Sequence, residues 1–154
     1  MIVVSDTTAL TTLIKSGLEH VLPGLFGEVR IPQAVADELR QFHPALPTWC
    51  QIESAKESRV LDSLRIAVDP GEAEAIALAL DLQADFVLLD DKKGRRQAET
   101  LGLTCLALPA VMVAAKRQGL ISSVAEAFAI LAAKGRYGVA EGTAVVLLRS
   151  VGEA

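Results

Sequence analysis

Short, continuously apolar runs alternate along the chain with longer segments whose apolar residues recur every three to four positions. The clearest short runs are Met1–Ser5 (MIVVS), Asp85–Leu89 (DFVLL) and Leu103–Leu108 (LTCLAL). Such runs are typical of strands buried on both faces of a parallel sheet. Glu28–Ile31 predicts a further strand, and the turn-rich segment His43–Glu53 ends in a candidate fifth.

Helical spacing fills the intervals between these runs. The predicted helices begin after Asp6 and at Pro32 and continue with residues 57–64, 72–82, 90–101, 109–118 and 122–134, whereas periodicity leaves 141–150 open between helix and strand. Gly17 and Gly102 are predicted helix stops, and Asp69-Pro70-Gly71 is predicted to break the chain ahead of a helix. Because strands alternate with helices, the sheet should be parallel with helices on both faces.

The expected fold class is therefore α/β, a three-layer α/β/α arrangement around a central parallel sheet of four to five strands. Residues 1–154 contain no internal repeat, linker or low-complexity tract, so we expect one domain. Hydrophobic residues make up 51% of the chain and aromatic residues only 4%, which predicts an aliphatic core. Cys50 and Cys105 stand alone and are expected to be small buried hydrophobic side chains.

Charge and hydropathy narrow the classes of function. The net charge of −4 argues against a generally basic nucleic-acid-binding surface, so any nucleic acid must meet a local basic patch. The first fifteen residues lack a basic start, and no apolar run reaches the ~20 residues that span a bilayer. We therefore expect a cytoplasmic protein that does not contact membranes.

Two aspartates directly follow predicted strands. Asp6 comes after the first strand and Asp90 after the DFVLL strand. Each could simply cap the helix that follows, but Asp91 could cap as well as Asp90, so one of that pair is surplus to capping. In open parallel sheets ligands bind at the carboxyl ends of the strands, where the strand order reverses. If the two strands are neighbours there, their carboxylates face one another.

Two glutamates are further candidates. Glu38 lies within a predicted helix, where surface glutamate is common, and Glu72 lies in a first turn, where the helix dipole alone favours an acid. Glu74 points about 200° away around the helix from Glu72. Two bare carboxylates ~4 Å apart repel by about 4 kcal/mol at an effective dielectric of 20. If the acids converge, Mg²⁺ or Mn²⁺ is the counter-charge expected for oxygen ligands.

A run of charge follows Asp90: Asp-Asp-Lys-Lys-Gly-Arg-Arg, residues 90–96. It is either a solvated helix start or an edge at which Lys92, Lys93, Arg95 and Arg96 contact phosphates. Phosphate contacts would position a nucleic-acid strand without reading its sequence.

Four motifs in order resemble the PIN-domain nucleases, the fold of VapC-type toxins, and most of all a small PIN-like branch of predicted nucleic-acid-binding proteins. The motifs are VVSDTTAL, IPQAVADEL, PGEAEAIALA and ADFVLLDD, and the resemblance covers about residues 1–120, with 121–154 as a C-terminal helical extension. It implies that the metal-binding and catalytic acids are Asp6, Glu38, Glu72 and Asp90. Thr7 and Asp91 would support them.

The resemblance implies a Mg²⁺- or Mn²⁺-dependent endoribonuclease, the toxin of a VapBC-like pair, with a small antitoxin partner and a homodimeric state. Two features depart from the toxins. Glu72 stands where they usually carry Asp, and Lys-Lys-Gly follows the fourth acid where they often have an Asp-x-Phe pattern.

Two other interpretations remain open at the level of the sequence. The aliphatic C-terminal third, with VAEAFAILAA and TAVVLLRSV, either packs into the core or offers a binding surface to an antitoxin or a second copy. In the latter case the chain could be a weakly active or inactive PIN-like domain that binds protein or nucleic acid. A receiver-like phosphoacceptor domain also gathers acids around Mg²⁺, although only one acid follows the first strand here.

Overall fold

A computed structural model describes the whole chain, residues 1–154. The strands are β1 (Val3–Ser5), β2 (Val29–Ile31), β3 (Cys50–Ile52), β4 (Phe86–Leu88) and β5 (Cys105–Leu106). The helices are α1 (Thr7–Ser16), α2 (Val21–Phe26), α3 (Gln33–Phe42), α4 (Arg59–Ala67), α5 (Pro70–Leu82), α6 (Lys92–Thr100), α7 (Leu108–Arg117), α8 (Val124–Lys134) and α9 (Glu141–Ser150).

All five strands are parallel and lie in the order β3-β2-β1-β4-β5. The predicted α/β class with a central parallel sheet is confirmed. The chain builds outward from β1 through β2 to β3, and then from β4 to β5 on the other side, so the strand order reverses between β1 and β4. Receiver domains have the order 2-1-3-4-5, which excludes that interpretation.

Successive strand residues face opposite sides of the sheet, as the pleat requires. Val3 joins a cluster formed with α1, α2, α3, α7 and α8, whereas Val4 joins a second cluster formed with α4, α5 and α6. Both side chains are fully buried. The sheet therefore lies between two helical layers, and its central strands β1 and β4 are largely buried on both faces, whereas β2 and β3 carry the polar residues Arg30 and Gln51.

Helix α5 is buried on nearly every side because its alanines let neighbouring elements approach closely. It contacts α3, α4 and α6 as well as β1 and β4. The prediction that Asp69-Pro70-Gly71 breaks the chain ahead of this helix was wrong. Asp69 is the N-cap, and Pro70 and Gly71 form the first turn, where a proline loses no helical hydrogen bond.

Three other segments differ from or extend the sequence analysis. Strand β5 ends at Leu106, and Leu108 begins α7 with Pro109 in its first turn, so the predicted strand over Leu103–Leu108 was too long. Helix α2 was not predicted, because Pro23 and Gly24 inside it read as turn residues. The undecided tail forms α9, which has no buried residue.

Both cysteines are free, and burial raises the pKa of the Cys50 thiol to about 12. The expectation of small buried side chains is confirmed for Cys50, whereas Cys105 is only partly buried. No helix in the chain is both long and apolar enough to span a bilayer.

Candidate functional site

Asp6 leaves β1 at the point where the strand order reverses. Its amide donates a 3.3 Å hydrogen bond to the Leu88 carbonyl oxygen of β4, and its Oδ1 accepts a 3.0 Å bond from the Ala9 amide. Asp6 is thus the N-cap of α1, as the simpler interpretation required. It is also only 2% exposed. Capping alone does not require a carboxylate to be buried so deeply.

The charge of Asp6 is poorly stabilised. The pKa of its carboxyl is raised to about 7; burial is the largest cause, and the bond from Ala9 only partly offsets it. The neighbouring carboxylates of Asp90, Asp69 and Glu38 contribute to the same rise. Asp6 therefore lies within range of two of the other three predicted acids, and it also raises the pKa of the third, Glu72.

Asp90 lies beyond β4, the strand adjacent to β1. Its Oδ1 accepts two hydrogen bonds, at 2.7 Å from the Tyr137 hydroxyl and at 3.3 Å from the Leu108 amide. Its Oδ2 is buried and has no partner in the chain. Burial raises the pKa of Asp90, although these two bonds and the positive charge of Arg95 oppose the shift.

Asp91 performs the capping that Asp90 does not. Its Oδ2 accepts a 2.9 Å bond from the Gly94 amide, and its side chain is exposed at the start of α6. The surplus acid of the pair is therefore Asp90. Its carboxylate is held by groups that are distant in sequence.

Glu72 is buried in the first turn of α5, at 9% exposure. A Cβ placed on Gly94 would lie 2.9 Å from Glu72 Oε2, so the glycine of the charged run makes room for this carboxylate. The pKa of Glu72 is raised to about 8, and burial is the largest cause. The Asp69 carboxyl contributes to the rise by charge and by a hydrogen bond, and Asp91 and Asp6 contribute by charge.

Glu38 and Thr7 meet beside the same turn of α5. A Cβ placed on Gly71 would lie 2.7 Å from Glu38 Oε1 and 3.5 Å from Thr7 Oγ1. The Thr7 hydroxyl is buried and has no hydrogen-bond partner. A glycine at position 71 thus leaves space for Glu38 to reach from α3 toward the start of α1.

The predicted basic patch divides into two parts. Lys93 lines a cleft of about 290 Å³ that also contains the carboxylates of Asp69, Glu72 and Asp91. The other three basic residues line a smaller cleft of about 140 Å³: Lys92, Arg95 and Arg96. None of the four forms a salt bridge within the chain. Arg95 turns inward, with a buried Nε that has no partner.

Two members of the site were missed in the sequence. Asp69 was assigned to a chain break, although an acid three residues before Glu72 is a recognisable cap pattern, and its Oδ1 accepts a 2.9 Å bond from the Glu72 amide. Tyr137 carries no local signal, because it lies 47 residues from Asp90. Only its being the sole tyrosine of the chain could have drawn notice.

The donor chemistry fits a hard divalent cation. All candidate ligands are oxygen atoms, Asp90 Oδ2 and Thr7 Oγ1 lack partners, and glycines leave space for Glu38 and Glu72. No three side chains of His, Cys, Asp or Glu stand close enough together to hold a metal ion in this arrangement. Asp6 interacts electrostatically with the other three acids, but the four carboxylates do not form a complete ligand shell.

The sequence of nearly the whole chain matches one known family. A family model described as PIN domain matches residues 2–153. The predicted resemblance is confirmed, and it extends beyond residue 120 into the segment that contains α8 and α9. No curated protein matches the chain significantly.

Proposed function

Because the chain belongs to the PIN domain family, we propose that it is a Mg²⁺- or Mn²⁺-dependent endoribonuclease with an active site at the carboxyl edge of its sheet. PIN domains are typically nucleases that use divalent metals. The observation that carries the proposal is the pair formed by Asp6 and Asp90. Asp6 is a buried carboxylate at the reversal of strand order, and its neighbour Asp90 holds a buried, unpartnered oxygen.

Each acid has a proposed role. Asp6 and Asp90 bind the cation directly, and Glu38 and Glu72 bind it or orient its water molecules. When bound, the cation lowers the pKa of a water molecule and stabilises negative charge on phosphoryl oxygens. Thr7, through its unpartnered hydroxyl, and Asp91, through its cap of α6, hold the surrounding elements in place.

The substrate is proposed to be RNA held by its phosphates. Three of the four predicted basic residues are exposed, and none forms a salt bridge within the chain: Lys92, Lys93, Arg95 and Arg96. Lys93 lies in the same cleft as Glu72. A phosphate bound there would be adjacent to the acids, with no contact that reads the bases.

The test is cleavage of RNA by the purified full chain with Mn²⁺ or Mg²⁺, with and without a chelator. We expect cleavage that the chelator stops and that Asp6→Asn abolishes. Asp37→Asn is the matched control, because Asp37 is an exposed acid of α3 whose side chain bonds only Gln33. If the wild-type chain cut no RNA, or if Asp6→Asn cut it equally well, the proposal would fail.

We further propose that the chain is the toxin of a VapBC-like pair and acts as a homodimer bound by a small antitoxin. Most apolar side chains of the C-terminal third enter the core, but Val146 on α9 is 66% exposed and Val145 beside it is 36% exposed. Expression should arrest growth, and Asp90→Asn should remove the arrest. A small neighbouring gene product should relieve it and co-purify. Equal toxicity of Asp90→Asn would contradict a nuclease toxin.

A second candidate is a PIN-like domain that binds nucleic acid or protein with little or no cleavage. It is favoured by the lack of three converging ligands and by Glu72 at the position of the toxins' aspartate. RNA binding that persists in Asp6→Asn, together with no metal-dependent cleavage by the wild type, would distinguish this candidate from the enzyme.

A further inference from the structure

Tyr137 reaches the acidic edge from the far end of the chain. It is half-buried in the segment between α8 and α9 and packs against the larger core cluster. Its hydroxyl donates the 2.7 Å hydrogen bond to Asp90 Oδ1, across 47 residues of sequence. Among the hydrogen bonds that the carboxylates of Asp6 and Asp90 accept, it is the only one donated by a side chain. Nothing in the resemblance assigns it a role.

The turn that presents Tyr137 is held tightly in place. A Cβ on Gly135 would lie 2.7 Å from Ser16 Oγ and 2.9 Å from the Leu131 carbonyl oxygen, so the end of α8 touches α1 where only glycine fits. Arg136 then adopts a positive φ of 52°, and the Tyr137 amide donates a 3.0 Å bond back to Leu131. The backbone that carries Tyr137 is therefore packed against α1, the helix that Asp6 caps.

The two carboxylate oxygens of Asp90 differ in their hydrogen-bond partners. Oδ1 accepts both available donors, the Tyr137 hydroxyl and the Leu108 amide, whereas Oδ2 is buried without any. A carboxylate held in this way cannot rotate without breaking two hydrogen bonds, so the direction of its free oxygen is set. Protein groups that orient a ligand commonly strengthen metal binding by about 10–100-fold.

We propose that Tyr137 is a positioning residue: by occupying Oδ1 of Asp90 it directs Oδ2 toward the cation. The C-terminal segment thereby completes a site whose acids all lie within the first 90 residues. The inference rests on the proposed metal-dependent function. It adds that a residue outside the four motifs sets the affinity of the site.

The test is the substitution Tyr137→Phe in the full chain, which removes the hydroxyl and keeps the ring packing. We expect the dissociation constant for Mn²⁺, measured from the electron paramagnetic resonance of free Mn²⁺, to rise by about 10-fold. Single-turnover RNA cleavage at subsaturating Mn²⁺ should slow by a similar factor and recover at high Mn²⁺. The melting temperature of the metal-free chain should change little.

Two comparisons separate positioning from simple support of the fold. Ser150→Ala removes a hydroxyl from α9 that bonds only its own helix, and it should leave Mn²⁺ affinity unchanged. If Tyr137→Phe bound Mn²⁺ as tightly as the wild type, the positioning role would be overturned and the nuclease proposal would stand. If the wild type itself bound no Mn²⁺, both would fall.

Discussion

Carboxylates in two regions of this chain have opposite electrostatic surroundings. Glu153, near the C-terminus, pairs with a lysine and accepts hydrogen bonds from a hydroxyl group and two backbone amides. Its oxygens meet Lys116 Nζ at 2.7 Å, Ser123 Oγ at 3.1 Å and the first amides of α8, at 2.8 Å from Val124 and 2.9 Å from Ala125. These contacts, led by that of Lys116, lower the pKa of Glu153 to about 2. Its charge is stabilised by the fold.

The acids at the sheet edge lack such partners. Asp6 accepts one backbone bond, and its pKa is raised to about 7, while that of Glu72 is raised to about 8. Burial is the largest cause in both, and neighbouring acids add to it. Hydrogen bonds and opposite charges favour the ionised form, whereas burial and like charges oppose it. The contrast supports the proposal that the edge acids bind a ligand, whereas the contacts of Glu153 stabilise the structure.

The largest expected effect is that of Asp6→Asn on metal binding. Asparagine caps a helix as well as aspartate does, so the bond from Ala9 should survive while the charge is lost. We expect the Mn²⁺ affinity to fall by more than the ~10–100-fold that loss of an orienting group causes. At pH 8 the metal-free variant should also have a higher free energy of unfolding than the wild type, because it lacks the buried charge of Asp6. Each unit of pKa shift corresponds to about 1.4 kcal/mol.

Isothermal titration with Mn²⁺ and urea unfolding in chelator measure these two effects. Tight Mn²⁺ binding by Asp6→Asn would show that the edge acids do not form the metal site. A large loss of stability would show instead that Asp6 serves the fold, as Glu153 does.

The opposite pattern is expected of Glu153→Gln. The substitution keeps the side chain's shape and removes the charge that faces Lys116 and the start of α8, so the melting temperature should fall by several degrees. Mn²⁺ affinity at a temperature where the variant is folded should match that of the wild type. An unchanged melting temperature would show that the charge of Glu153 does not stabilise the fold.

The pH dependence of stability should differ between the two groups. Asp6 and Glu72 titrate at about 7 and about 8 in the folded chain, against ordinary values of 3.8 and 4.5. Because the folded chain holds these protons longer, its stability is fully present below pH 4 and falls as pH rises through 7 and 8. Glu153 acts in reverse: its contribution is present above its ordinary value of 4.5 and is lost as pH falls toward 2.

The metal-free chain should therefore be most stable near about pH 4, and Mn²⁺ should restore stability at high pH. Urea unfolding in chelator across this range tests the prediction. In Asp6→Asn the alkaline decline should be smaller by a few kcal/mol. If Asp6→Asn lost as much stability at alkaline pH as the wild type, the decline would come from groups other than Asp6.

The smallest expected effects concern the basic residues, which neither bind the cation nor support the core. Lys93→Ala should weaken RNA binding a few-fold and lower the magnitude of the salt slope by roughly 1, because one phosphate contact is lost. Mn²⁺ affinity should not change. Arg117→Ala is the matched control, since Arg117 is exposed on α7 and lines neither of the two clefts that contain the basic residues. Equal weakening by both variants would mean that the contact is not local.

The sequence predicted the fold well, because its strands are short apolar runs bounded by turns and its helices mostly begin and end at recognisable caps. Gly17, for example, ends α1 with a φ of 67°. The failures occurred where a local signal has two meanings. Pro70 and Gly71 are typical of a chain break, but they belong to the first turn of α5. Pro23 likewise lies inside α2, where a proline usually argues against a helix.

The site was predictable only in part. Asp6 and Asp90 follow from topology, because residues that leave adjacent parallel strands must lie near one another. The space that Gly71 and Gly94 leave for two glutamates does not follow, since it depends on how α5 packs against α3 and α6. The contact with Tyr137 depends on a turn at Gly135 where the end of α8 packs against α1. Sequence spacing contains no information on such distant contacts.

Helix α9 links the two groups of carboxylates, since Tyr137 precedes it and Glu153 follows it, yet none of its own residues is buried. A helix with so little buried surface should open far more readily than the sheet does. Its amides should therefore exchange with deuterium long before those of β1 and β4. When α9 opens, Glu153 loses the 2.8 Å hydrogen bond that its amide donates to the Leu148 carbonyl oxygen, whereas Tyr137 keeps its bond to Leu131 at the end of α8, so the C-terminal end of the chain can loosen while the acidic edge stays folded.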